Sequence, residues 1–175
     1  MVKQSPLKYT ILDTSIGQII IVGAEEGLQK ISIHVSRQSA LESIAQQFPG
    51  SIESPDGFGD LPQRLEQYAR GERIIFNDKL DTRDATRFRR AVWEATSSIP
   101  YGETRSYEWI AQCIGKPGAA RAVGQALKSN LLPIIVPCHR VIGKDGSLTG
   151  FSCGIDVKKR LLELEASSPS ENMVN

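Results

Sequence analysis

The sequence predicts an α+β fold: a small N-terminal mixed α/β domain, with a short antiparallel sheet plus helices, followed by a mostly helical domain of winged helix-turn-helix type. Three observations predict it. β-rich runs bounded by turn residues are confined to the first eighty or so positions of a 175-residue chain. Helical periodicity dominates thereafter. Two short helical segments are joined by a tight Lys116-Pro117-Gly118 turn.

In order, "YTILDTSIGQIIIVGAEEGLQKISIHV" offers strands at residues 9–12, 18–22 and 28–35, divided by Asp13-Thr14-Ser15 and Glu25-Glu26-Gly27. "SALESIAQQF" places Leu41, Ile44, Ala45 and Phe48 on one helical face. "SIESPDGFGD" is a loop. "LPQRLEQYARG" is a short helix with Pro62 in its first turn and Gly71 past its end. "RIIFNDKL" is expected to be a further strand, and residues 81–84 a linker. The next helix is expected to be capped by Asp84, to present Phe88, Ala91, Val92 and Ala95 on one face, and to stop at Pro100. Ser106 is placed to cap "YEWIAQCIG", which Gly115 closes, and "AARAVGQALKSN" follows as the second helix of the pair. "KDG" at 144–146 is expected to be a hairpin tip, the wing, and "DVKKRLLELEA" a closing amphipathic helix. The domains are therefore expected at 1–80 and 85–167, with a flexible polar tail at 168–175.

Composition narrows the function classes. No stretch approaches the ~20 apolar residues of a membrane helix, and the N-terminus lacks an apolar signal core, so a cytoplasmic location is expected. The cysteines are Cys113, Cys138 and Cys153. An odd count in one half of the chain argues for a reducing compartment rather than a disulfide framework. Charge is uneven: residues 1–82 carry 8 Lys/Arg against 11 Asp/Glu, whereas residues 83–165 carry 13 against 8. A basic half points to an anionic partner, nucleic acid among the candidates.

"IIVPCHRVIG" carries the chemistry. A cysteine attacks as thiolate, so a reactive one needs a neighbourhood that lowers its pKa, and His139 and Arg140 are candidates to provide it. Pro137 stiffens the approach, and the apolar run from Leu131 to Val136 should deliver Cys138 to the lip of a buried segment. Adjacency does not prove a Cys-His pair, since only the local turn decides where each side chain points. A third group should orient the histidine, and Glu165 on the last helix is the candidate. A thiol hydrolase and a winged-helix regulator with an inert cysteine remain alternatives on these residues alone.

"PCHRV" behind an apolar run, with "SY…GxxxAARAVG…N" upstream and "G…KxxLLxxE" downstream, resembles the O6-alkylguanine-DNA alkyltransferase family over residues 88–165. The resemblance implies direct reversal repair of double-stranded DNA. The alkyl group on guanine O6 passes irreversibly to a protein cysteine, once per molecule, without a cofactor. Whether O4-alkylthymine is also accepted is left open. By resemblance Cys138 is the acceptor, His139 takes its proton through a water, and Glu165 backs the histidine. Tyr107 bonds the flipped base and helps protonate the leaving guanine, and Asn130 is a hinge before the active-site segment. Arg121 enters the stack where the base leaves. Main-chain groups of Cys138 and Val141 read the guanine edge, and Ser152 faces O6. Arg140 is implied to be a structural ion-pair former.

A base must leave the duplex before a thiol can reach it. Small residues such as Ala119, Ala120, Ala122 and Gly124 suit a helix pressed against DNA, and the family implies the minor groove. Lys116, Lys144 and Arg89 are candidate phosphate contacts. Phe151 and Cys153 are expected at the pocket mouth; the resemblance places Phe151 where tyrosine is common and Cys153 where glycine or another residue occurs. The first half has no cysteine and one histidine, His34, so no metal is expected, and His34 is read as a strand surface residue. Cys113 is read as a small core hydrophobe. A monomer is expected in the absence of DNA.

Overall fold

A computed structural model describes residues 5–167; the expected tail at 168–175 lies outside them. Strands β1 (Lys8–Thr14), β2 (Gly17–Ala24) and β3 (Gly27–His34) form an antiparallel meander. Helix α1 (Arg37–Gln47) follows, and a two-residue strand β4 (Ile52–Glu53) returns parallel to β1, giving the sheet order β3-β2-β1-β4. The run Ile19-Ile20-Ile21-Val22 does not alternate because β2 is buried on both faces. Ile19 and Ile21 join the main core, while Ile20 and Val22 pack against Ala40 and Ile44 of α1.

Two expectations for this half are corrected. On α1 the buried positions are Ala40 and Ile44, with Phe48 partly buried beyond the helix end; Leu41 and Ala45 face solvent. Residues 73–80 make no strand beyond a single bridge between Leu28 and Leu80. The edge of β3 is already used further along, where the Ile31 amide donates to the Leu131 carbonyl over 2.8 Å. Gly27 lets the chain cross there: at φ +140°, a Cβ on it would sit 2.8 Å from the Asp81 nitrogen.

Helix α2 (Leu61–Ala69) buries Leu61, Leu65, Tyr68 and Ala69 beneath the sheet. Helix α3 (Arg87–Ser97) is capped by Thr86, whose hydroxyl accepts from the Arg89 amide, rather than by Asp84. Val92 and Thr96 are its buried positions. A two-residue strand β5 (Arg105–Ser106) leads into α4 (Tyr107–Cys113), capped by the Ser106 hydroxyl as expected. Helix α5 (Ala120–Lys128) follows the Lys-Pro-Gly turn. Cys113 is exposed, because α4 turns Ile110 and Ala111 inward and leaves its last residue outside. Strand β6 (Val141–Ile142) pairs parallel with β5. The 144–146 turn forms, closed by a Gly143 amide to Ser147 carbonyl bond of 2.8 Å. No strand pair flanks it among the described residues, so it is a loop tip rather than a hairpin. Helix α6 (Ile155–Ser167) ends the described chain.

One apolar cluster joins both halves: Ile19, Ile21, Leu65 and Tyr68 pack in the same core as Val92, Ile110, Val123 and Leu161. This shared core places α2 against the segment that carries Cys138.

Candidate active site

The apolar run after α5 forms a compact loop. Asn130 organises it: its Oδ1 accepts from the Leu132 amide (2.9 Å), and its Nδ2 donates to the Val136 carbonyl (3.0 Å) and to Cys138 Sγ (3.1 Å). Ile134 within it has φ 75°, a left-handed conformation that costs a β-branched residue about 1–3 kcal/mol. The loop ends in a single 3₁₀ turn, Cys138–Arg140. Successive side chains in such a turn point ~120° apart. Cys138 therefore faces Asn130, while His139 and Arg140 face Glu165.

The sequence-based expectation of a basic neighbourhood that lowers the thiol pKa is overturned. Cys138 is only 3 % exposed. Burial pushes its thiol up to about 11, against the pull of the Asn130 hydrogen bond. Arg140 is committed elsewhere, to Glu165 at 2.9 Å and to the Ile99 carbonyl at 2.8 Å, as a structural ion pair.

Glu165 is the hub. His139 Nε2 lies 2.6 Å from its Oε1, Tyr68 Oη donates to Oε1 over 2.7 Å, and the Gly102 amide donates to Oε2 over 3.0 Å. Burial alone would push the Glu165 carboxyl up, but the hydrogen bond from His139 and then the Arg140 guanidinium hold it at about 2. An ionised carboxylate only accepts, so His139 Nε2 must carry the ring proton. Nδ1 is then the basic nitrogen; it is buried and has no hydrogen-bond partner among the described residues. Burial pulls the His139 pKa down, so the ring is neutral near pH 7 and able to take a proton.

A second polar cluster lies near the thiol. Lys158 is fully buried, and its Nζ donates to the carbonyls of Val141 (2.6 Å) and Thr149 (3.1 Å). It stands 5.8 Å from the centre of the Tyr107 ring. Burial lowers its pKa, and the neighbouring Cys138 raises it in part. Tyr107 Oη donates to the Thr149 carbonyl over 2.7 Å. Phe151 is buried edge-on to the His139 ring, at 6.5 Å between centroids. Ser152 is exposed. Cys153 is half-buried and packs against the core.

The outer face of α5 presents Arg121, Ala122, Gln125 and Lys128 to solvent, while Val123, Ala126 and Leu127 face inward. Arg121 thus stands free to reach outward. Ala120 is partly covered, and Gly124 lies against the Tyr107 ring rather than on the outer face: a Cβ there would meet Tyr107 at 3.9 Å. Lys116 is exposed in the turn before α5. Lys144 is exposed and pairs with Glu108 at 3.0 Å. Arg89 is exposed on α3 and shares a groove with Lys128. His34 ends β3 half-covered, with Nε2 3.0 Å from the Ser32 hydroxyl.

Sequence reasoning missed Tyr68, and it quoted Lys158 only as the lysine of "KxxLLxxE", with no role assigned. Lys158 left a signal: with Leu161 and Glu165 it occupies the i, i+3, i+7 positions of one buried helix face. Tyr68 left none, since it reads as one more apolar position on α2, 71 residues from His139.

Two family models match the chain. One, described as 6-O-methylguanine DNA methyltransferase, DNA binding domain, covers residues 87–167. The other, described as the ribonuclease-like domain of 6-O-methylguanine DNA methyltransferase, covers residues 7–82. A methylated-DNA–protein-cysteine methyltransferase of Methanosarcina acetivorans is 43 % identical over 160 residues, 91 % of this chain and 98 % of that protein. The crystal structure of the Mycobacterium tuberculosis O6-methylguanine methyltransferase matches with a TM-score of 0.79 at 40 % identity, over 95 % of this chain and 96 % of that one. A complex of the same bacterium's OGT with DNA matches with a TM-score of 0.78 at 42 % identity, over 94 % of this chain and 96 % of that one.

Proposed function

The chain belongs to the 6-O-methylguanine DNA methyltransferase family, and from that premise we propose that it repairs DNA by direct reversal. It draws O6-alkylguanine out of a duplex and transfers the alkyl group to its own Cys138, once per molecule. The observation that carries the reading is the seating of Cys138: its sulfur is held by Asn130 at 3.1 Å, in the same turn as a histidine whose proton-free nitrogen is Nδ1.

The resting site keeps the thiol neutral, so activation belongs to the encounter with substrate. The Sγ proton passes through a water to His139 Nδ1, and the imidazolium formed is stabilised by the Glu165 carboxylate. The thiolate attacks the alkyl carbon in line. An S–C bond forms, the C–O6 bond breaks, and its electron pair stays on guanine. Tyr107 turns its hydroxyl from the Thr149 carbonyl to the leaving guanine, protonates it, and regains a proton from solvent. Lys158, beside the sulfur, favours the anionic stage and holds the Val141 carbonyl that lines the base site. The product is a thioether, which does not revert. Outside the pocket, α5 lies against the minor groove, Arg121 fills the gap left by the base, and Lys116, Lys144 and Arg89 meet phosphates. Residues 1–80 and 85–167 act as two domains of a monomer. No described helix is long and apolar enough to cross a membrane, and we place the protein in the cytoplasm with its DNA.

Labelling with excess fluorescent O6-benzylguanine tests this. One stable label per molecule is expected, and none on Cys138→Ala. Guanine release beyond one equivalent, or no label on the wild type, contradicts it.

A further inference from the structure

We propose that Tyr68, on α2 in the first half of the chain, is a positioning residue for alkyl transfer: its hydroxyl holds the Glu165 carboxylate and the His139 ring in the register that leaves Nδ1 free for the thiol proton. The proposal rests on the reading of Cys138 as alkyl acceptor and extends it to the domain that carries no part of the Cys-His motif.

The geometry is specific. Tyr68 Oη donates to Glu165 Oε1 over 2.7 Å and lies 3.3 Å from His139 Nε2. A phenol has one proton and two lone pairs. With its proton on Glu165, its remaining acceptor capacity faces the Nε2–H of His139. That N–H is then shared between two acceptors, Oε1 and Oη. The opposite tautomer would set the Nε2 lone pair against the carboxylate. Three groups thus close a triangle in which each proton has one sensible place, and the place of the ring proton decides which nitrogen is the base.

The ring of Tyr68 is itself fixed. It is fully buried on the same helix face as Leu61 and Leu65 and meets Phe76 and Tyr101 edge-on, each at 6.0 Å between centroids. The end of α2 is tied from outside, where the Ser15 hydroxyl donates to the Ala69 carbonyl over 2.6 Å and the Tyr101 hydroxyl donates to the Gly71 carbonyl over 3.1 Å. A rigid phenol on a pinned helix is a suitable brace for a carboxylate.

The brace also sets how strongly Glu165 pulls on the imidazolium. A donor to the carboxylate disperses its charge, so losing that donor favours the protonated ring. The other charged or titratable groups around the pair are Arg140 from the 3₁₀ turn, Lys158 from α6, Cys138 as the chain neighbour of His139, and Tyr101 beside Arg140. All of them remain when the Tyr68 hydroxyl is removed.

The test is the single-turnover rate against pH, on free O6-benzylguanine and on methylated duplex DNA, for wild type, Tyr68→Phe and protein carrying 3-fluorotyrosine at position 68. Tyr68→Phe is expected to slow transfer about tenfold on both substrates, with unchanged affinity for undamaged duplex, and to move the acid limb upward in pH. The fluorinated phenol, a stronger donor with the same shape, is expected to move that limb downward. A Tyr68→Phe protein with lower thermal stability but the wild-type rate and acid limb overturns the proposal. Should that variant fail to fold, an unmoved limb in the fluorotyrosine protein overturns it. A wild type that takes neither the benzyl nor the methyl group sinks the assignment of Cys138 itself, a different outcome.

Discussion

The ammonium of Lys158 donates to the carbonyl of Val141 over 2.6 Å inside the protein, beneath the ring of Tyr107. A buried cation is costly unless every proton finds an acceptor. Here the cation couples to Cys138, the acceptor we propose, and is held by the Val141 main chain.

Lys158→Met keeps the aliphatic stem and removes the charge. Alkyl transfer should slow about tenfold or more, since hydrogen bonds to charged groups contribute ~1.5–3 kcal/mol. Affinity for undamaged DNA should hardly change. Stopped-flow labelling and a binding titration check both; a variant as fast as wild type contradicts the role.

The resting thiol should be a poor general nucleophile. With the Cys138 pKa raised to about 11, iodoacetamide should label it slowly at neutral pH, and labelling should accelerate well above pH 9. O6-benzylguanine should react readily at pH 7 if, as proposed, His139 takes the thiol proton in the substrate reaction. Equal pH dependence for the two reagents would show that the thiol is already ionised at rest.

Acid should unfold the protein through the Glu165–His139 pair. Glu165 sits at about 2 against an ordinary 4.5, a difference on the order of 3 kcal/mol. Its folded value is depressed, so the contribution is complete above pH 4.5 and lost as pH falls toward 2. His139 is depressed below 6.5 and acts in the same direction, from pH 6.5 downward. Urea unfolding between pH 7 and 3 should show this fall, and Glu165→Gln should flatten its lower part while lowering stability at pH 7.

Arg121 should matter for extrusion and not for chemistry. It is exposed on α5, on the face opposite Val123 and Leu127. Arg121→Ala should slow repair in duplex DNA much more than reaction with the free base, which needs no flipping. Equal slowing on both substrates removes the argument.

The sheet meander, the helix pair with its Ser106 cap and the closing helix were legible because each depends on local pattern. Glu165 was found because a carboxylate was sought to orient a histidine. What escaped depended on distant packing. Residues 73–80 look like a strand, but the edge of β3 is taken at Ile31 by Leu131 and offers them only Leu28. Cys113 looks like core, but the last residue of α4 points outward. The basic residues beside Cys138 looked like groups that lower the pKa of the resting thiol, but a 3₁₀ turn aims both at Glu165. Tyr68 was illegible, because only the shared core brings α2 to the 138–140 turn.

The central claim is that Cys138 is the alkyl acceptor, and its most direct test is peptide mass mapping after incubation with a duplex containing O6-methylguanine. The account predicts one added methylene, on the peptide that holds Cys138, in step with the loss of the lesion. The methyl group on Cys113 or Cys153, or lesion loss without any protein adduct, would contradict it.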